Sequence, residues 1–297
     1  MIEDEALLSC YDFGRQLLET LDLDPVYVVL YNAELEPELL QRWLLAYWGF
    51  YHVGTASWIA EAEDLAYWDR MRTAAGSKDY PRSSERRHFR GENARKSVEF
   101  LQSQGLSKLF SPFARSLAPA TIMFVSDDYA KQTGAKVGDT VFHDLSAEYV
   151  VEHVKTWVGF GPWIAFKVAD MLERLGLARI HFDVETAMYE GSPTEGAQML
   201  WEEEGKPPLI REGQTRPATW AVARILSELR TLSAPPDFKR IIGPQEAETI
   251  LCKWFSYTKG HYHLGEDIKA VRSGLLRFGR TKLAQRLFRG GREGGLW

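Results

Sequence analysis

The sequence predicts a mainly α-helical fold. Apolar residues recur at three- and four-residue spacing along most of the 297-residue chain, and a short apolar run at 27–31 is the one β-like segment. Hydrophobic residues make up 45% of the chain and charged residues 26%, as in average soluble globular proteins, so disordered and fibrous classes are excluded. The length allows one compact unit or two regions, which we place at 1–145 and 146–297.

Start and stop signals define the helices of the first region. Pro37 begins a long apolar helix, and Gly105 ends a later one. A polar, basic loop occupies 76–91, and the segment 119–131 favours neither helix nor strand. We predict helices at 5–21, 38–61, 92–104 and 107–116.

In the second region Ser146 is a candidate helix cap, and Gly176 ends another helix. Proline- and glycine-rich loops are expected at 205–213 and 234–237. We predict helices at 146–157, 163–175, 194–203, 217–231 and 244–255.

Positive charge is concentrated at the C-terminal end. The formal net charge is −5, but 269–297 holds eight basic residues against Glu293 alone, which makes +7 there and −12 elsewhere. This asymmetry is a local signal for binding a polyanion, although a solvated helix with solubilising side chains explains it equally well. The chain has too few cysteines for a disulfide framework, starts with acidic residues and contains no apolar run of the roughly 20 residues that span a membrane. We therefore expect a cytoplasmic protein that does not contact membranes.

The most informative segment reads as helix, tight turn, helix and then an acid. Gly159, Phe160 and Gly161 form the turn, in which two glycines flank one apolar residue. Such a helix-hairpin-helix lets the backbone approach a DNA phosphate, with amides at the second helix's N-terminus directed at the anion. We assign DNA binding to these three residues and Trp163, while noting that a plain helix connection is the commoner origin of this pattern.

The hairpin and the segment behind it resemble the helix-hairpin-helix DNA glycosylase superfamily. That resemblance implies an all-helical glycosylase-like fold, and it makes Asp183, within the segment 180–187, the counterpart of a catalytic carboxylate. Trp163 stands where members that also cleave the DNA backbone carry a lysine, so Schiff-base lyase chemistry is disfavoured. The structural alternative for Asp183 is an N-cap of the following helix.

Four further segments stand out beside the hairpin, at 42–48, 50–57, 85–91 and 188–197. Together with the hairpin they resemble the bacteriophage amino acid:DNA transferase family, which includes the α-glutamyl/putrescinyl-thymine pyrophosphorylases. The resemblance implies thymidine hypermodification in double-stranded phage DNA inside an infected bacterium. A 5-hydroxymethyluracil carries a phosphate or pyrophosphate, which the nitrogen of a free amino acid (glycine, serine or glutamate) or a polyamine displaces.

This reaction requires positive charge for the leaving group. Arg86, Arg87 and Arg90 in the basic loop are candidate phosphate ligands, and His88 is a candidate catalytic donor to the bridging oxygen. The alternative for this loop is a non-specific grip on the DNA backbone.

The reaction also requires a base, because the incoming amine is protonated at neutral pH. Asp183 is the first candidate and His52 the second, although a lone histidine in an apolar helix more often belongs to the core. Lys259 and His261 are candidate phosphate or carboxylate ligands, and their spacing to His263 does not favour zinc. We expect no metal and no cofactor.

Two alternatives to the transferase remain open from the sequence. A monofunctional glycosylase would excise a modified base and leave an abasic site, and a binding module would change nothing in the DNA. Digestion of treated DNA to nucleosides distinguishes the three, because a transferase yields a heavier nucleoside, a glycosylase yields a lost base and a binding module yields neither.

Overall fold

The protein is mainly α-helical, as predicted. A computed structural model describes residues 7–81, 91–121, 136–137, 140–188, 191–206 and 216–297. In the described part of 1–145, the helices are α1 (Cys10–Glu19), α2 (Pro25–Ala33), α3 (Pro37–Phe50), α4 (Val53–Ala60), α5 (Asp64–Gly76), α6 (Gly91–Gln104) and α7 (Leu106–Ala114), followed by a 3₁₀ turn (Arg115–Leu117).

The described part of the C-terminal region, from residue 146 onward, is also mainly helical. Its described helices are α8 (Ala147–Lys155), α9 (Pro162–Arg174), α10 (Val184–Ala187), α11 (Ser192–Glu203), α12 (Arg216–Glu228), α13 (Pro244–Thr258), α14 (Glu266–Arg277) and α15 (Lys282–Glu293). The described strands form two short pairs, with β1 (Ala120–Thr121) antiparallel to β2 (Thr140–Val141) and β3 (Leu145–Ser146) parallel to β4 (Ile180–His181).

Most of the predicted helices are confirmed to within a few residues. Ser146 caps α8 through its side chain, and Gly105 follows α6 with a φ of 73°. The β-like prediction for 27–31 is wrong, because this run lies within α2. Residues 26–30 are all buried, so the apolar run reflects a helix surrounded by protein rather than a strand.

The prediction of one helix over 38–61 is also wrong, because the chain turns between α3 and α4. Tyr51 adopts a left-handed φ of 47°, and His52 is extended. The Nδ1 atom of His52 accepts the backbone N–H of Thr55 at 3.1 Å and thereby caps α4. His52 therefore lies at a helix junction and not in the middle of an apolar helix.

The buried apolar side chains form two clusters. The large cluster takes its residues from 26–187 and 271–296, and the small cluster from 10–23 and 197–262. Helix α2 packs against α15 in the first, and α11 packs against α13 in the second. Both clusters therefore join distant parts of the sequence, and the boundary between 145 and 146 stays a prediction.

Helices α4 and α14 cross at two glycines. A Cβ atom on Gly54 would overlap the carbonyl oxygen of Gly274, and one on Gly274 would lie 2.8 Å from Val53. Glycine at position 54 is needed for this close approach, because its Cβ would meet the backbone of α14. The crossing brings α14 against the His52 junction.

We expect Gly54→Ala to lower the free energy of unfolding by about 1–3 kcal/mol, because the added methyl forces the two helix backbones apart. Chemical denaturation measures this change. Gly76→Ala is the matched control, since its Cβ would point into open space at the end of α5. A Gly54→Ala protein as stable as wild type would show that the crossing tolerates the wider spacing.

Candidate active site

A pocket of about 320 Å³ lies where the beginning of α2, the α3–α4 junction and α14 meet. Its walls combine carboxylates, aromatic rings and one imidazole. The lining residues are Asp24, Pro25, Val26, Tyr27, Tyr47, Tyr51, His52, Val53, Asp267, Ala270 and Val271.

Asp24 is the less engaged of the two carboxylates in this pocket. Asp267 forms an ion pair with Lys253 at 2.6 Å. By contrast, within the described residues no donor hydrogen-bonds to the Asp24 carboxylate, and its nearest cation is the Nζ of Lys167, 4.0 Å from Oδ1. Burial raises the pKa of Asp24, an effect that the charge of Lys167 opposes.

His52 contributes a neutral ring to the same pocket. Burial, assisted by the charge of Arg277, lowers the pKa of His52 to about 4. Since Nδ1 accepts the Thr55 N–H, the neutral imidazole carries its proton on Nε2. The ring can therefore donate a hydrogen bond from Nε2, but it is a weak base whose free lone pair is already used.

A buried polar network lies behind Asp24. The ammonium of Lys167 lies within 4.0 Å of carboxylate oxygens of Asp24, Asp170 and Glu248, and it donates to the hydroxyl of Thr249 at 3.2 Å. Burial disfavours the charge of Lys167, but these carboxylates outweigh that effect and raise its pKa. The hydroxyl of Tyr27 donates to Asp170 at 2.5 Å, which connects the network to the pocket wall.

A row of tilted ring contacts connects the pocket to the hairpin. Tyr47 and Tyr51 lie with ring centroids 4.7 Å apart, and Tyr51 lies at the same distance from Trp163 at the beginning of α9. Trp163 and Phe160 are both buried, so their side chains hold the hairpin against the core rather than presenting rings to solvent.

The hairpin has the predicted arrangement, in which a tight turn joins the two helices α8 and α9. Gly159 adopts a φ of 91°, a left-handed conformation that favours glycine. Gly161 is the N-cap of α9, and a Cβ there would point into open space. The turn thus offers accessible backbone at a helix N-terminus. That the chain shares the fold of the DNA glycosylases stays a prediction.

Asp183 caps α10, because its Oδ1 accepts the backbone N–H of Thr186 at 2.6 Å. The preceding residue, Phe182, packs edge-on against Phe166 of α9 at 5.9 Å, so Asp183 lies beside the same helix that carries Trp163 and Lys167. It is half-buried and does not line the pocket with His52.

The remaining sequence candidates lie apart from these groups or outside the described residues. Lys259 and His261 are exposed beyond the end of α13. Arg86, Arg87, His88 and Arg90 lie outside the described residues. The described residue nearest to them on the N-terminal side is Pro81, whose carbonyl accepts the hydroxyl of Thr55 at 2.6 Å. Pro81 therefore lies against the first turn of α4, which His52 caps.

Helix α14 separates charge between two faces. Asp267, Ala270 and Val271 face the pocket, whereas Lys269 and Arg272 are exposed. Further along, Arg277, Arg280, Lys282, Arg289 and Arg292 are also exposed, so most basic residues of the C-terminal segment face solvent on α14, on α15 and in the turn between them. One of its members, Arg286, pairs with Glu36 at 3.0 Å.

Sequence reasoning missed Asp24 and Lys167. A signal for Lys167 was present in the sequence, because it directly follows Phe166 in a predicted helix that is rich in apolar residues. In the structure, residues 163–172 are all buried. A lysine at such a position needs buried carboxylates around it. Asp24 had no comparable signal, since Asp before Pro25 reads as an ordinary helix start.

No helix among the described residues is long and apolar enough to cross a membrane. Those residues also contain no group of three His, Cys, Asp or Glu side chains placed to hold a metal ion.

The sequence is similar to a known protein family and to phage enzymes. The sequence-family model of the amino acid:DNA transferases matches residues 17–263. A glycinyltransferase of Pseudomonas phage PaMx11 is 32% identical over 302 aligned positions, which cover 95% of each chain. A putrescinyltransferase of Delftia phage PhiW-14 is 22% identical over 280 positions, which cover 91% of this chain and 79% of that protein. The family match spans Asp24, the hairpin and Asp183.

We expect Gly161→Leu to weaken binding to duplex DNA by about tenfold, the equivalent of one lost charge-assisted hydrogen bond, because the side chain would block the approach of a phosphate to the α9 N-terminus. Fluorescence anisotropy at fixed salt measures this, and the affinity of wild type should fall steeply as salt rises. The unfolding midpoint should stay near that of wild type, since Gly161 has an ordinary φ and open space around its Cβ position.

Gly161→Ala serves as the control with minimal bulk and should bind more tightly than Gly161→Leu. A bulky replacement of Gly159 should also weaken binding, with an added cost in stability because of its positive φ. Unchanged affinity in both bulky variants would rule out the hairpin as a DNA contact.

Proposed function

The chain belongs to the amino acid:DNA transferase family, and from this premise we propose that it attaches glycine to a thymine-derived base in phage DNA. The observation that carries the choice of glycine is the 32% identity to a phage glycinyltransferase across nearly the whole of both chains. A polyamine is the second candidate donor, because the putrescinyltransferase is also similar over most of its length.

The proposed substrate is a 5-hydroxymethyluracil whose hydroxymethyl oxygen carries a phosphate or pyrophosphate. The amine nitrogen forms a bond to the 5-methylene carbon, the C–O bond breaks, and the (pyro)phosphate leaves with the bonding electrons. The amine loses a proton to a base. The 5-carbon is accessible only when the nucleotide leaves the base stack, so the enzyme has to flip it. In this proposal the transfer reaction takes place in the cytoplasm of the infected bacterium.

We assign the proton-accepting role to Asp183. Its Oδ1 caps α10, and this fixes the carboxylate beside the helix that also carries the hairpin and Trp163. A carboxylate held in this way can cap the helix and still accept a proton on Oδ2. The hairpin and the basic surface of α14 and α15 hold the DNA through its phosphates.

The leaving group is assigned to the basic loop. Arg86, Arg87 and Arg90 stabilise the charge that develops on the departing oxygens, and His88 donates to the bridging oxygen. The support for this assignment is the hydrogen bond that ties Pro81 to Thr55, one turn from the pocket residue His52. Lys259 and His261 remain candidate ligands for phosphate or for the carboxylate of the amino acid.

The direct test uses DNA that contains phosphorylated or pyrophosphorylated 5-hydroxymethyluracil. The DNA is incubated with the protein and glycine, serine, glutamate or putrescine, and is then digested to nucleosides for mass spectrometry. A nucleoside heavier by the glycinyl group supports the proposal. A free base with an abasic site would instead identify a glycosylase, and unchanged nucleosides with every donor would reject both activities.

We expect Asp183→Asn to lower the transfer rate by 10²- to 10⁴-fold, the usual cost of losing a general base. Asparagine caps a helix about as well as aspartate, so stability should change by well under the ~1 kcal/mol of a lost cap. Steady-state kinetics and thermal unfolding measure the two effects. Glu185→Gln, an exposed carboxylate in the first turn of α10, is the control and should stay active. An active, folded Asp183→Asn protein would leave Asp183 as a cap only.

We expect joint replacement of Arg86, Arg87 and Arg90 by alanine to slow transfer by about 10²- to 10³-fold, because developing charge on the leaving group loses its donors. Affinity for unmodified DNA should stay near that of wild type. Arg272→Ala on the exposed face of α14 is the comparison and should weaken binding to modified and plain DNA alike. Equal losses on both DNAs in the triple variant would make the loop a backbone contact.

A further inference from the structure

We propose that the pocket lined by Asp24, Tyr47 and Tyr51 is the entry subsite that receives the ammonium group of the incoming amine, before the amine reaches Asp183 and loses its proton there. This inference rests on the proposed function, since it assigns a place to the donor of that reaction. Glycine and putrescine share a primary ammonium group, so one subsite of this chemistry serves either donor.

The aromatic walls suit a cation. The rings of Tyr47 and Tyr51 lie 4.7 Å apart, and Tyr27 lines the same cavity. Ring faces attract ammonium groups, and the attraction grows when the cation is withdrawn from water. The hydroxyl of Tyr27 is turned toward Asp170 by a hydrogen bond, which fixes this ring in the wall.

Asp24 supplies the anion. Its side chain keeps 20% of its surface accessible and lines the cavity, and within the described residues it neither caps α2 nor accepts a hydrogen bond. Lys167 lies at 4.0 Å, beyond hydrogen-bond distance, so both carboxylate oxygens retain room for donors. An ammonium carries three such donors.

The negative charge of the pocket lining disfavours binding of the phosphorylated base, which is the other charged reactant. Asp24 and Asp267 are acidic, His52 is neutral because its pKa is about 4, and no lining residue is cationic at neutral pH. A phosphate or pyrophosphate would be repelled there. On α14, the cations Lys269 and Arg272 instead lie on the exposed face, where DNA phosphates can reach them.

The network behind Asp24 keeps the subsite in place. Lys167 is held by Asp170, Glu248 and Thr249 as well as by Asp24, so its charge remains compensated when Asp24 is changed to asparagine. That substitution therefore removes the anion of the subsite without leaving a buried cation unpaired.

The test is steady-state transfer by Asp24→Asn with glycine and with putrescine. The KM for the amine should rise by about 10- to 100-fold, the loss expected for one charge-assisted hydrogen bond, while the DNA Kd stays within a factor of two to three. Asp24→Glu should recover part of the loss. Glu266→Gln is the control, since it removes an exposed carboxylate beside Asp267 and keeps an oxygen to accept the His263 N–H. An unchanged amine KM in Asp24→Asn would overturn the proposal.

A second measurement uses the wild-type protein and needs no variant. Tetramethylammonium, which has no lone pair and cannot act as a nucleophile, should inhibit competitively against the amine donor and leave DNA binding unchanged. Butanoate, an anion of similar size, should not compete. Competition by butanoate alone would assign the pocket to an anion and reject the ammonium subsite.

The proposed function and this inference fail in different ways. If the wild type transfers no amine to any DNA, the proposed function is rejected. The subsite can then still be tested by calorimetry, which compares the binding of glycine and putrescine to wild type and to Asp24→Asn. If the wild type transfers and Asp24→Asn matches it at every amine concentration, the function stands and the subsite is rejected.

Discussion

Lys167 is buried where the large and small apolar clusters meet, and side chains from three helices neutralise its charge. Asp170 lies on its own helix α9, Glu248 and Thr249 lie on α13, and Asp24 precedes α2. An unpaired charge at this depth would cost several kcal/mol, so the three helices can approach only in the arrangement that brings these oxygens together. The pocket is built on the outer side of this arrangement, with Asp24 in its wall.

A second set of ion pairs continues the polar layer along α9. Arg174 pairs with Glu246 on α13, and Arg240 bridges Glu173 and Glu246 at 2.9 and 3.0 Å. Gln245 also donates to Glu173 at 3.1 Å. Helix α9 is therefore fastened to α13 along much of its length, while its N-terminus carries the hairpin. The proposed DNA contact at the hairpin would therefore be made on the same helix that carries Lys167 and supports the pocket.

Charge separation across α14 fits a reaction between a polyanion and an amine. The exposed face carries Lys269 and Arg272, and the opposite face puts Asp267 into the pocket. Under the proposed function, the cations of α14 would face the DNA phosphates and its Asp267 side would face the protonated amine. The glycine pair at 54 and 274 makes this possible, because it lets α14 approach the α3–α4 junction closely enough to form a wall of the pocket.

The sequence by itself determined the helical class, most helix positions, the hairpin with its two glycines, the cap at Asp183 and the basic C-terminal segment. Each of these depends on residues near one another along the chain, such as apolar spacing, Ser146 or Gly105 as boundary residues, and runs of charge. The transferase family also followed from local motifs, which the comparisons confirmed. Only the tertiary structure decided that 27–31 is helical, that the chain breaks at His52, and that Asp24, Lys167 and α14 share one site. These outcomes depend on burial and on ion pairs between residues as far apart as 24, 167 and 248. The periodicity of apolar residues along the chain does not indicate which acidic residue will pair with which distant basic residue.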